Sequence, residues 1–310
     1  MTSSCKVVAL SGGVGGAKLA LGLSHVVAGD ALMVVANPGD DFEHLGLTIC
    51  PDLDTLTYVL AGIDDQVRGW GRAGETWRFM DELKAQGGES WFNLGDKDLE
   101  LHRERTDRLA AGESLSAITG DITRRLGITA RILPATDDAL RTVVETADGP
   151  LEFQQYFVRE RCEPKVRGFR YHGADRARPN PAVVAALAAP ELEAVVICPS
   201  NPYVSIAPLL AMPGLRRALA NTPAPVVAVS SIVGGRALKG PAAKIMAELG
   251  VAPTAAAVAS HYGALIDGFV LDAPESGIGI PTMVTNTVMT DVASKVALAR
   301  AVLDFARSLQ

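Results

Sequence analysis

The chain reads as an α/β protein, a doubly wound parallel sheet carrying a smaller β-rich subdomain. Short apolar runs that end in glycine or small polar residues alternate with segments of helical period at both ends of the sequence, the pattern of strand–helix units in a parallel sheet. Between them lies a stretch of consecutive strand-like segments without intervening helices. The first run, Lys6 to Leu10, meets the glycine turn SGGVGG, and apolar residues then recur at helical spacing from Ala17 to Val27. A second buried-strand run, ALMVVAN, ends at Asn37. From about Asp64 to Gly127 the pattern is helical and polar. TARILP, ALRTVVET, EFQQYFVRER and VRGFRY, between 129 and 171, are the strand-like segments of the subdomain. Strand runs return at AVVICPS (194–200), PVVAVSS (225–231) and DGFVLD (267–272), and an amphipathic helix from Asp291 closes the chain. The expected division is a core of 1–127 and 175–310, with a helical insertion, and a small β-rich subdomain over 128–174.

Composition narrows the function classes. The 310 residues are 48% apolar and 21% charged, which suits a globular domain able to bury a sizeable core. A net charge of −6 and the lack of a long Lys/Arg run argue against nucleic acid as a partner. Cys5, Cys50, Cys162 and Cys198 form no Cys-x-x-Cys pair, so reduced thiols in a cytoplasmic protein are expected. The apolar start is too short for a signal peptide and no run reaches eighteen apolar residues, so neither export nor a membrane span is expected.

The loop from Ser11 to Lys18, SGGVGGAK, would bring backbone amides at a helix N-terminus towards an anion, with glycines permitting close approach. Lys18 follows Ala17 and precedes Leu19, which is not a Walker A order, and it takes the sixth position of G-x-G-x-x-G. The second strand ends in Asn37 where a dinucleotide-binding fold usually carries an acid, a further point against a nicotinamide oxidoreductase. Asp40, Asp41, Asp52 and Asp54 follow within fifteen positions. Each alone reads as a turn residue or helix cap. Together, facing a phosphate loop, they would repel the ligand unless a hard cation such as magnesium stood between. Ser200 and Asn201 in CPSNPYVSIAPLL suit a nucleotide, or a simple turn and cap. Arg236, Lys239 and Lys244 in SSIVGGRALKGPAAKIM form a second anion cradle or a solvated surface, and Trp91 in WFNLGDKDLELH stacks a planar ring or anchors helices. The five histidines show no metal-ligand spacing.

ALSGGVGGAKLA, NPGDDFEHLGLTICPDLDTLTY, WFNLGDKDLELH, CPSNPYVSIAPLL and IVGGRALKGPAAK, in that order, resemble the 2-phospho-L-lactate transferase family of coenzyme F(420) biosynthesis along nearly the whole chain. The resemblance implies a Rossmann-like core with a smaller domain, a homodimer and a magnesium-dependent reaction. It also implies a guanosine diphosphate-linked donor, carrying phospholactate, phosphoenolpyruvate or phosphoglycerate, and 7,8-didemethyl-8-hydroxy-5-deazariboflavin as acceptor, with release of guanosine monophosphate (GMP). The family's magnesium ligands lie twelve residues apart and match Asp40 and Asp52. Asp41 or Asp54 would orient or deprotonate the ribityl hydroxyl. Gly13, Gly15, Gly16 and Lys18 would hold phosphate, Ser200 and Asn201 guanosine, Arg236 and Lys239 a further anion, and Arg78 and Trp91 the deazaflavin. The competing expectation is a non-catalytic nucleotide-sugar-binding regulator of the related gluconeogenesis-factor family.

Overall fold

The computed structural model describes residues 5–237 and 240–310. Seven parallel strands form the central sheet, in the order Thr282–Val284, Gly268–Leu271, Val226–Val229, Ala194–Ile197, Val7–Ser11, Leu32–Ala36 and Arg131–Pro134. The first strand of the chain lies between the second and the fourth along the sequence, with Val7 opposite both Leu32 and Ala194. The winding therefore reverses beside Val7–Ser11, and the crevice of such a sheet opens where two neighbouring strands send their following loops in opposite directions.

Alternation along the central strands feeds two cores. Val8, Leu10, Met33, Val35, Val195 and Ile197 pack on one face. Val7, Ala9, Leu32, Val34, Ala194 and Val196 pack on the other, against helices Gly13–Ser24 and Val292–Ser308. Both faces being covered, each strand reads as a continuous apolar run. The closing helix begins where the sequence indicated, with Asp291 and Ser294 forming a reciprocal cap.

Two segments differ from their sequence reading. Arg131–Pro134, expected in the β-rich insertion, is the edge strand of the central sheet, paired with Leu32–Ala36. The antiparallel sheet of the insertion is Gly149–Glu152, Arg141–Thr146 and Val166–His172. The run after Glu152, read as strand, instead turns into a wide helical segment at Gln155–Arg159. Phe153, Tyr156 and Phe157 stand at helical i, i+3, i+4 spacing, which their aromatic character disguised as strand propensity. That turn buries Tyr156 with Val144, Val166, Val204 and Ile245, fixing the small sheet over the switch-point end of the large one. The helical insertion supplies Arg78–Ala85, Asp96–Ala110 and Leu115–Arg125. No described helix is long and apolar enough to cross a membrane.

Candidate active site

A cavity of about 680 Å³ opens at the switch point. Its floor is the glycine loop and the Pro199–Asn201 turn, and its walls are the helices starting at Pro51 and Asp96 and the segment around Phe153–Val158. That volume suits a nucleotide-sized ligand.

Helix Pro51–Ala61 begins with proline in its first turn and places Asp52 against the glycine loop. The Gly13 amide donates to Asp52 Oδ1 at 2.6 Å, and the Gly12 amide donates to Ser200 Oγ at 3.1 Å. Asn37 fixes the remaining geometry. Its Nδ2 donates to Asp40 Oδ1 and Asp52 Oδ2, each at 3.0 Å, so one amide bridges two buried carboxylates. Burial first, and the Asp52 charge second, push the Asp40 carboxyl well above the usual range. Burial likewise raises Asp52 to about 6, although the Gly13 and Asn37 hydrogen bonds oppose the shift. Among the described residues no group of three or more His, Cys, Asp or Glu gathers as a metal cage. Two carboxylates whose mutual repulsion only an amide relieves nevertheless fit a magnesium ion, which commonly takes one or two protein carboxylates and completes its shell with water and phosphate.

The other expected residues divide. Gly13, Gly15, Lys18, Asp54, Ser200 and Asn201 line the same cavity as Asp40 and Asp52. Lys18 Nζ donates to the Met289 carbonyl at 3.0 Å. Asn201 Oδ1 caps the Tyr203 amide, leaving its buried Nδ2 without a hydrogen-bond partner among the described residues. Asp54 is tied into an ion pair, with Arg105 Nη1 donating to its Oδ2 at 3.1 Å and Nη2 to its Oδ1, and His102 stands 3.6 Å away. Burial lowers His102 to about 4, so the imidazole is neutral. Asp41 is buried but does not line the cavity; burial lifts its carboxyl to about 7, and its Oδ1 has no hydrogen-bond partner among the described residues. Gly16 sits behind the loop. Arg78 and Arg236 are exposed outside the cavity, and Lys239 lies outside the described residues. Trp91 packs 5.0 Å from His44 in an aromatic cluster, while its neighbour Phe92 reaches the cavity.

The loop glycines also permit a close approach within the chain itself. A methyl at Gly15 would stand 2.5 Å from the Pro199 carbonyl, and one at Gly16 2.4 Å from Ser11 Oγ. These two positions admit the Pro199–Asn201 turn and the end of the first strand. Gly13, with φ +64°, takes the left-handed backbone that admits the Asp52 bond. Gly15→Ala is therefore expected to push the loop off the Pro199 turn, costing about 1–3 kcal/mol of stability. Nucleotide affinity should fall with it, and thermal melts with calorimetry check both.

Sequence reading passed over Asn37 as a bridge, Tyr58 and Asp98, which meet across the cavity wall, and Trp70 and Phe157, which line its apolar part. Tyr58 was the accessible signal, because it lies two turns along the helix that carries Asp52.

A switch-point crevice that joins a helix-start glycine loop to paired carboxylates defines a Rossmann-like protein built to handle phosphate esters. The chain belongs to the 2-phospho-L-lactate transferase CofD family, whose model matches residues 7–296, and is thus a transferase. It is 40% identical over 319 residues to the phosphoenolpyruvate transferase of Streptomyces griseus, covering 98% of this chain and 99% of that one. With the phosphoenolpyruvate transferase of Kitasatospora aureofaciens the identity is 41% over 319 residues, at the same coverage. A crystal structure of a UPF0052 family member from Bacillus halodurans shares the fold, with a TM-score of 0.63, 15% identity, and coverage of 98% of this chain and 100% of that one.

Proposed function

We propose that the protein transfers a phosphorylated three-carbon acid from its guanosine diphosphate-linked donor to the terminal ribityl hydroxyl of 7,8-didemethyl-8-hydroxy-5-deazariboflavin. The hydroxyl oxygen attacks the phosphorus that bears the acid, the bond from that phosphorus to the bridging oxygen breaks, and GMP leaves. The names of the relatives favour phosphoenolpyruvate as the acid. The observation that carries the reading is the Asp40–Asn37–Asp52 bridge beside the glycine loop.

Asp40 and Asp52 would hold magnesium. When bound, it supplies charge neutralisation for the diphosphate and the leaving phosphate. Asn37 keeps the two carboxylates at a common spacing, and Asp52 orients the loop through Gly13. The unpartnered Asn201 amide offers a donor to the nucleotide. Asp54, with both oxygens held by Arg105, is a structural acid rather than a proton acceptor. From the resemblance, the working form is a cytoplasmic homodimer, and light scattering tests the dimer.

Incubating the protein with the deazaflavin, magnesium and each guanosine diphosphate-linked acid should release GMP and yield one product mass, most efficiently with phosphoenolpyruvate. Binding of nucleotides without GMP release would overturn the transferase reading in favour of a regulator. An independent readout is thermal: millimolar Mg²⁺ together with GMP should raise the wild-type Tm by about 2–4 °C and that of Asp40→Asn far less.

A further inference from the structure

Three side chains of helix Pro51–Ala61 line the cavity in succession: Asp52, Thr55 and Tyr58. Each stands about 4.5 Å farther along the axis than the last, so the series leads from the paired carboxylates into the cavity over about 9 Å. At its far end the Tyr58 hydroxyl donates to Asp98 Oδ1, across the gap to helix Asp96–Ala110. Asp98 also lines the cavity and is only 7% exposed. Its backbone amide is capped by Glu75 at 3.0 Å, so its carboxylate is not spent on its own helix. The second carboxylate oxygen, Oδ2, accepts no hydrogen bond from the described residues and is not sealed from solvent. Beyond the pair, Trp70 and Phe92 contribute aromatic surface to the same cavity.

A carboxylate oxygen left open on a cavity wall can accept from a donor that the ligand brings. Asp54, Arg72 and Glu75 are the charged groups that act on Asp98 from neighbouring elements, and Tyr58 is its hydroxyl partner. Burial raises its carboxyl to about 6, with Tyr58 opposing, so it is ionised at neutral pH and accepts only. Hydroxyl groups along an extended chain match a row of carboxylate, hydroxyl and phenol-held carboxylate better than an alkyl chain or a second anion does.

We infer that Asp98, held by Tyr58, accepts hydrogen bonds from the hydroxyls of the acceptor's ribityl chain, with Thr55 between it and the reacting end. This rests on the proposed function and adds to it the residues that require the chain to be a polyol. Asp98 is a positioning residue for the chain, and the reacting hydroxyl lies at the opposite end, by Asp52.

The test compares fluorescence titrations of the deazaflavin with those of an analogue whose ribityl chain is replaced by a pentyl chain, using wild type, Asp98→Asn and Tyr58→Phe. Wild type should prefer the polyol by about tenfold or more, as one or two charge-assisted hydrogen bonds require. Both variants should lose most of that preference while binding the pentyl analogue and GMP as wild type does. In turnover, KM for the deazaflavin should rise with kcat changed far less. Tyr58→Phe removes only the hydroxyl and keeps the packing should Asp98→Asn fold poorly. Retained preference, or equal weakening of both ligands, overturns the assignment. A wild type that binds neither deazaflavin overturns the proposed function itself, and the assignment with it.

Discussion

Asp40→Asn is expected to lower kcat/KM by about a thousandfold or more while leaving the protein at least as stable as wild type. On the proposed function Asp40 would hold the neutralising cation, and removing such a carboxylate removes stabilisation needed most in the transition state, where losses of two to three orders of magnitude per group are ordinary. The fold has the opposite interest. Asp40 is 6% exposed, is raised in pKa by burial and by the charge of Asp52, and is met by one amide hydrogen of Asn37. An asparagine oxygen can take that hydrogen and ends the repulsion. Asp52→Asn should differ, because both Asp52 oxygens already accept, from Gly13 and from Asn37. An amide there must point its own donor at one of them, so activity and stability should fall together. Thermal melts without magnesium, beside steady-state kinetics, separate the cases. Equal melts for the two variants, or turnover near wild type for Asp40→Asn, would contradict the assignment.

Arg105→Met is expected to cost about 3–5 kcal/mol of stability, the largest loss for any single substitution around the site. Arg105 is 3% exposed and donates through both terminal nitrogens to Asp54, with a weaker bond to the Thr48 carbonyl at 3.4 Å. Methionine fills much of the volume but leaves the Asp54 carboxylate buried beside a neutral His102. Pairing the change with Asp54→Leu should recover much of the loss, because a buried ion pair exchanged whole for apolar groups is often neutral. Urea denaturation of the single and double variants measures this directly. If the single variant alone is as stable as wild type, Arg105 is no structural lock.

How far the sequence revealed the protein follows the range of the forces involved. The parallel sheet was legible because a strand covered on both faces must be apolar throughout, as LMVVA and AVVI are. Asp40 and Asp52 were legible from the residues only as two of four acids after a strand end, and it was the resemblance, through its twelve-residue spacing, that set them apart as a pair. Arg131–Pro134 was misplaced because the run is equally apolar whichever sheet it joins, and the choice is made by pairing with Leu32–Ala36. The ion pair that holds Asp54 was not legible, since its partner Arg105 lies fifty-one residues on and nothing in local spacing joins them. Asp98 was hidden likewise: the Tyr58 contact that marks it crosses from one helix to another.

On the proposed function, the hydrogen bond from the Gly13 amide to Asp52 would make nucleotide and metal binding interdependent. The positive end of the loop helix is already occupied by a protein carboxylate, so a lone nucleotide meets a charge of its own sign where it would seek an attractive one. A lone cation finds carboxylates partly satisfied by amides and only two of them. On the proposed function, each arrival would relieve what the other lacks, because a cation would draw the carboxylate charge away from a phosphate and the phosphate would complete the cation's shell. Nucleotide and magnesium would then bind with positive cooperativity, and the carboxylate that serves the metal would keep affinity for the uncomplexed nucleotide low. The bond would act as a logical AND on loading, so that free nucleotides without the metal would not hold the crevice against the donor.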